Sequence, residues 1–179
     1  MNAEKRLMKK EFPTRPEAIN MGSKRISQTK KRCYIVNANI IEKANQIIKT
    51  CNTAYFGVID ENSYPSISAV SVIKPENLFE VYFATYTGSN KEKRLLKNSR
   101  ACICFRTEDS NITLVGDAVI VPDQETKSRY WLDMFKEHWP GATDPSYLIV
   151  KLKTLRVSLW IDNESASFTI DELMKIQFI

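Results

Sequence analysis

The 179-residue chain predicts a mainly β fold with helices at its periphery. The expected architecture is a small antiparallel barrel of six or seven strands, closed or nearly so. Three observations carry this. Beyond residue 53, apolar residues recur at every second position in a succession of short runs. Those runs are joined by tight polar turns, the pattern of consecutive hairpins. No regular alternation of strand and long helix, the signature of a parallel sheet, interrupts them.

Residues 1–32 have scattered charge and little periodicity, and Phe12-Pro13-Thr14-Arg15-Pro16 breaks any helix. They read as a flexible extension ahead of one domain, residues 33–179. Residues 37–51 are the clearest helix, since Ile40, Ile41, Ala44, Ile47, Ile48 and Cys51 share one face. Asn39 followed by Glu42 resembles a capping box at its start. Strands are expected at 53–60, 65–73 and 78–86, with turns at Glu61-Asn62-Ser63 and Lys74-Pro75-Glu76-Asn77. A short helix follows at 90–98, then strands at 101–107 and 111–121 around Glu108-Asp109-Ser110. Residues 124–139 read as one helix with Trp131, Phe135 and Trp139 on a common stripe. After a loop with Pro140-Gly141 and Asp144-Pro145 come strands at 147–153 and 155–162. A short strand at 165–170 and a terminal helix at 171–177, capped by Asp171, end the chain.

The net charge of +5 is unevenly spread. Residues 1–32 hold 10 Lys/Arg against 3 Asp/Glu, and the rest of the chain 16 against 18. The body is therefore near neutral, which argues against a long nucleic-acid groove. The basic arm could bind nucleic acid or an anionic surface, or act as a solubilising tail. The first 32 residues lack the apolar stretch of a secretory signal. No C-x-x-C occurs, and His138 is the single histidine, so a zinc site is not expected. Cys33, Cys51, Cys102 and Cys104 read as free thiols of a cytoplasmic protein, with Cys102 and Cys104 on one strand face.

Three segments bear on chemistry. In Ala84-Thr85-Tyr86-Thr87-Gly88-Ser89-Asn90-Lys91 a strand ends, a glycine turns the chain and a helix begins. Hydroxyls from Thr85, Thr87 and Ser89, the helix start and the Lys91 ammonium together suit a phosphate. The alternative is an ordinary Ser-capped surface helix. In residues 66–74 small and hydroxyl side chains alternate with apolar ones. That would let a flat ring approach the backbone, with Lys74 reaching the same anion; a plain half-buried strand is the alternative. Trp160 lies on the polar face of its strand, opposite Leu155, Val157, Leu159 and Ile161. It is a candidate for a cleft or subunit interface, or simply covers a neighbouring element.

These features, in this order, resemble the pyridoxamine 5'-phosphate oxidase-like FMN-binding split β-barrels. The resemblance rests on residues 85–101, which run from Thr85 through Ser89-Asn90-Lys91 to Asn98-Ser99-Arg100-Ala101, and on Val115-Gly116-Asp117-Ala118. Pro140-Gly141-Ala142-Thr143-Asp144-Pro145, with Trp160 in the following hairpin, looks most like the general-stress-protein branch. The resemblance covers about residues 40–162. It implies a split barrel and a homodimer with FMN at the subunit interface. It implies that Ala69, Val70, Ser71, Val72, Ile73 and Lys74 run along the flavin, with Ala84 and Thr85 beside them. Ser89, Asn90 and Lys91 match the phosphate-binding positions, although Asn90 stands where the oxidases carry Arg. Asn111 or Thr113 falls near a ring-contacting position.

Residues 165–179 hold no Arg or His, so the pyridoxal-phosphate grip of the oxidases proper is missing. The reading is thus an FMN-dependent oxidoreductase acting on an unknown small molecule. A non-enzymatic module that holds flavin, or less readily haem, remains the alternative. No protein nucleophile or general base stands out, and His138 reads as packing or surface.

Overall fold

The computed structural model describes residues 38–73 and 75–176. The basic arm and Lys74 lie outside the described residues. The elements run α1 (Ala38–Thr50), β1 (Thr53–Ile59), β2 (Pro65–Ile73), β3 (Glu80–Tyr86), α2 (Asn90–Leu95), β4 (Arg100–Arg106) and β5 (Ser110–Val121). Then come α3 (Gln124–Arg129), a 3₁₀ turn (Asp133–Glu137), β6 (Tyr147–Ile161), β7 (Glu164–Thr169) and α4 (Ile170–Ile176).

The sheet order is β3-β2-β1-β4-β5-β6-β7, and β3 also pairs with β6. Every pairing is antiparallel, so six strands close into a barrel and β7 extends it as a hairpin partner of β6. Strand alternation explains the interior. Ala54, Phe56 and Val58 of β1, Ile103 and Phe105 of β4, and Ile112 and Leu114 of β5 are all buried in one core. The apolar face of α1 (Ile40, Ile41, Ala44, Ile48) and Leu173 of α4 join that core. A second cluster lies under residues 130–142, where Phe135, Trp139, Tyr147 and Ile149 meet Ile73. Among the described residues no helix is long and apolar enough to cross a membrane.

Four local expectations are corrected. Residues 147–161 form one continuous strand rather than two. A bulge falls where Val115 pairs with Arg156 but Gly116 pairs with Thr154, so Leu155 is the extra residue. The extra residue flips the side-chain phase. Leu152 and Thr154 point inward before it, Val157, Leu159 and Ile161 after it, and Leu155 is left 54% exposed. Leu155 therefore does not belong to the apolar set assigned to it. The bulge also forces β5 and β6 together: a Cβ on Gly116 would lie 1.9 Å from the Lys153 carbonyl oxygen.

The expected helix at 124–139 breaks after Arg129, with Leu132 extended before the 3₁₀ turn. The break serves aromatic packing. Tyr130 turns to stack on Tyr82 at 4.1 Å, while Trp131, Phe135 and Trp139 each pack against Tyr147. One straight helical stripe could not satisfy both. At the last helix the cap is Thr169, not Asp171: the Thr169 Oγ1 accepts from the Glu172 N–H, and Glu172 bonds back to the Thr169 N–H. At the first helix, Asn39 lies inside the first turn rather than ahead of it.

Candidate functional site

β3 delivers its last residues to the open edge of the barrel. Phe83 faces the core and Ala84 the outside, while Thr85 turns inward and is buried. The chain then reverses through Gly88, whose φ of 78° only glycine adopts without strain. Ser89 caps α2, its Oγ accepting from the Glu92 N–H at 3.2 Å. The same oxygen lies 3.3 Å from the Thr85 hydroxyl. Lys91, in the first turn of α2, comes back over β2 and reaches the Ser68 hydroxyl at 3.5 Å. One turn on, Arg94 donates to Ser66 at 2.7 Å and pairs with Glu61. Two hydroxyls and one ammonium thus converge where the sequence motif led us to expect them.

One other expected donor, the Thr87 hydroxyl, is already used. The Thr87 hydroxyl donates to the Pro145 carbonyl at 3.0 Å, and the Thr87 N–H to the Ser146 carbonyl at 2.9 Å. The Gly88 N–H donates to the Glu92 carboxylate. The two Thr87 contacts fasten the β3–α2 turn to residues 144–146, where Asp144 accepts from both the N–H and the hydroxyl of Ser146. Those two bonds hold the Asp144 carboxyl below its ordinary pKa.

Ala69, Val70, Ser71, Ala84, Thr85 and Lys91 line one open cavity of about 170 Å³. Its far wall was not foreseen. Tyr86, Met134, Phe135, His138 and Trp139 close it from the 3₁₀ turn and the end of β3. Tyr86 leans against Trp139 at 4.4 Å and meets the edge of His138 at 6.3 Å. His138 is exposed on this lip, and its position follows from the break in the helix at residues 130–132. A straight helix gave no reason to bring it to residues 84–86. The only sequence signal was the neighbouring Trp139-Pro140-Gly141.

The other expected site residues are placed differently. Val72 and Ile73 are buried, one in each apolar cluster, so their side chains serve packing. Asn90 begins α2. Asn111, Thr113 and Trp160 do not line the cavity. They lie on the outer face of β5 and β6, where Thr113 donates to Asn111 at 3.2 Å and Asn111 pairs with Trp160 in register. Tyr55 and Cys104 continue that face across β1 and β4, and Ala69 continues it onto β2. Tyr55 and Trp160 are about half exposed there. Cys102 shares this face and is held with its thiol pKa raised by burial.

The family model described as pyridoxamine 5'-phosphate oxidase like matches residues 39–177. Among solved structures, a protein related to general stress protein 26 from Clostridium acetobutylicum is 25% identical, with a TM-score of 0.71. The alignment covers 77% of this chain and 99% of that one. General Stress Protein 26 from Bacillus anthracis is 23% identical over 73% of this chain and 99% of its own, with a TM-score of 0.63. A heme binding protein from Mycobacterium smegmatis shares the fold at 16% identity and a TM-score of 0.61, over 72% of this chain and 57% of that one. No curated protein matches the chain.

Proposed function

The chain belongs to the pyridoxamine 5'-phosphate oxidase-like family, and on that premise we propose that it is a homodimeric, cytoplasmic FMN-binding oxidoreductase acting on a small molecule. The observation that carries the reading is the shared cavity. It sets a small-residue floor (Ala69, Ser71, Ala84) beside Thr85 and Lys91, with the Ser89 hydroxyl 3.3 Å behind that of Thr85.

These groups fit the cofactor. Alanines leave room for a ring to lie against the strands, and Lys91, with the one hydroxyl proton that the Thr85–Ser89 bond leaves over, offers donors to a phosphate. Among the described residues Lys91 has only a long contact to Ser68, which leaves it able to turn toward an anion. Bound FMN would supply hydride or electron transfer, and the protein would bind and orient it. With Asn90 in place of Arg, Lys91 carries most of the phosphate attraction among the described residues. The aromatic lip would exclude water from the ring.

The size of the site supports the dimer reading. Binding pockets usually enclose about 300–1,000 Å³, and this one holds about 170 Å³ and is open. A second copy packed on the outer face of β1, β4, β5 and β6 would bring Asn111, Thr113 and Trp160 to the ring. One experiment addresses the reading. Protein purified in full should show a flavin spectrum or quench the fluorescence of added FMN, and sediment as a dimer. A colourless chain that leaves FMN unquenched would sink it. Reduction of bound flavin by NADH or NADPH, with turnover on an acceptor, separates an enzyme from a binder.

A second reading is haem binding, favoured by the exposed His138 imidazole on the cavity lip. A histidine is a common axial ligand to haem iron. A Soret band lost in His138→Ala would support it.

A further inference from the structure

Trp139 is 4% exposed, yet its indole N–H has no hydrogen-bond partner among the described residues. Buried tryptophans usually find an acceptor, because an unmatched buried donor costs its full desolvation. This donor is also held firmly. Tyr86 lies against the indole at 4.4 Å, Tyr147 meets it edge-on at 5.1 Å and Phe135 at 5.9 Å. A phenylalanine would fill the same cage of rings without the orphaned N–H. The residue also lines the cavity that gathers the small-residue floor and Lys91. Packing explains the ring but leaves the nitrogen unexplained.

We propose that Trp139 is a ligand-orienting residue, whose indole N–H donates to an acceptor atom on the planar ring system bound in this cavity. The inference rests on the FMN reading above and names a contact on the wall opposite the strand floor. The chemistry it selects is a flat heteroaromatic molecule with a carbonyl oxygen or ring nitrogen at that edge. The division of labour is then clear. Lys91 and the hydroxyls of Thr85 and Ser89 hold the anionic end, and Trp139 fixes the orientation of the ring. Because three rings clamp the indole before binding, little freedom is lost when the bond forms.

The test uses the full chain, FMN as the probe, and two readouts. The chain has 3 tryptophans, at 131, 139 and 160, so ¹⁵N-labelled indole groups give three resolvable N–H signals. The signal missing from Trp139→Phe identifies the residue. Adding FMN to the native chain should move that signal downfield, as a new acceptor engages the proton. Trp139→Phe should bind FMN about 10-fold more weakly, the scale of one lost hydrogen bond. If FMN binds the native chain but the Trp139 signal stays in place, the inference fails and the FMN reading stands. Equal affinity in a folded Trp139→Phe leads to the same conclusion. If the native chain does not bind FMN, both fall together. If Trp139→Phe misfolds, Trp131→Phe and Trp160→Phe assign the third signal by elimination, and the shift is still read on the native protein.

Discussion

Gly116→Ala should be the most damaging single methyl in the barrel. The added Cβ would meet the Lys153 carbonyl oxygen at 1.9 Å, its carbon at 2.9 Å and the Thr154 Cα at 3.0 Å. All three are backbone atoms of β6 at the bulge, so no rotamer change relieves the contact. The two strands must part by more than 1 Å there, and this pairing is the one that sets the phase of β6. Overpacking a core costs about 1–3 kcal/mol, and a clash with backbone belongs at or above the upper end. A loss of about 3 kcal/mol lowers the melting temperature by roughly 6–12 °C in a chain of this size. Two other glycines serve as controls. A Cβ at Gly57 would press on the Cys102 Sγ at 2.8 Å, a thiol that can rotate away, and would meet the Ile67 Cγ1 at an ordinary 3.7 Å. A Cβ at Gly141 meets nothing within 4 Å, so Gly141→Ala should be neutral or stabilise by up to about 1 kcal/mol through the unfolded chain. Calorimetry with a matched denaturant series should rank the losses Gly116 above Gly57 above Gly141. A Gly116→Ala protein as stable as the native chain would refute the bulge as the point where β5 and β6 lock.

Three further outcomes follow from the same geometry. Lys91→Ala should weaken FMN binding by about 10–100-fold, the scale of a charge-assisted hydrogen bond, and flatten its salt dependence; unchanged affinity in a titration would remove Lys91 from the phosphate site. Ser89→Ala should cost about 1 kcal/mol of stability through loss of the α2 cap as well as weaken FMN, which denaturation and binding assays report separately. Burial pushes Tyr147 up to about 12, and burial together with the Glu80 bond pushes Tyr82 up as well. The folded state thus favours the protonated phenols: their stabilisation is intact below about pH 10, the unfolded value, and is lost as pH rises beyond it. Absorbance titration should find both tyrosines protonated at about pH 11; full ionisation of a still-folded chain would contradict this.

Much of the barrel was legible because period-two alternation survives in each strand. At residues 65–73 small and hydroxyl side chains interleave with apolar ones, and the structure has the strand there with the same limits. The failures occurred where tertiary geometry overrode local pattern. The bulge at Leu155 looked like a break between two strands, because the phase flip it produces resembles a restart. The stripe Trp131, Phe135, Trp139 fits a helix, yet cross-packing on Tyr147 and Tyr82 broke it. Cap positions erred by two residues at Asp171, since Thr169 and Glu172 form the reciprocal pair.

The strand half of the site was readable. Small residues on β2, the end of β3 and Ser89-Asn90-Lys91 are contiguous signals that the barrel brings together. The aromatic half was not readable, since it depends on where a broken helix comes to rest. Asn111, Thr113 and Trp160 lie on the outer face of β5 and β6 and do not line the cavity of their own chain.

The most direct test of the central claim is a fluorescence titration of FMN with the full chain. The account predicts saturable quenching at one FMN per chain, weakened by Lys91→Ala and sensitive to salt. FMN that stays unquenched at saturating protein would contradict it.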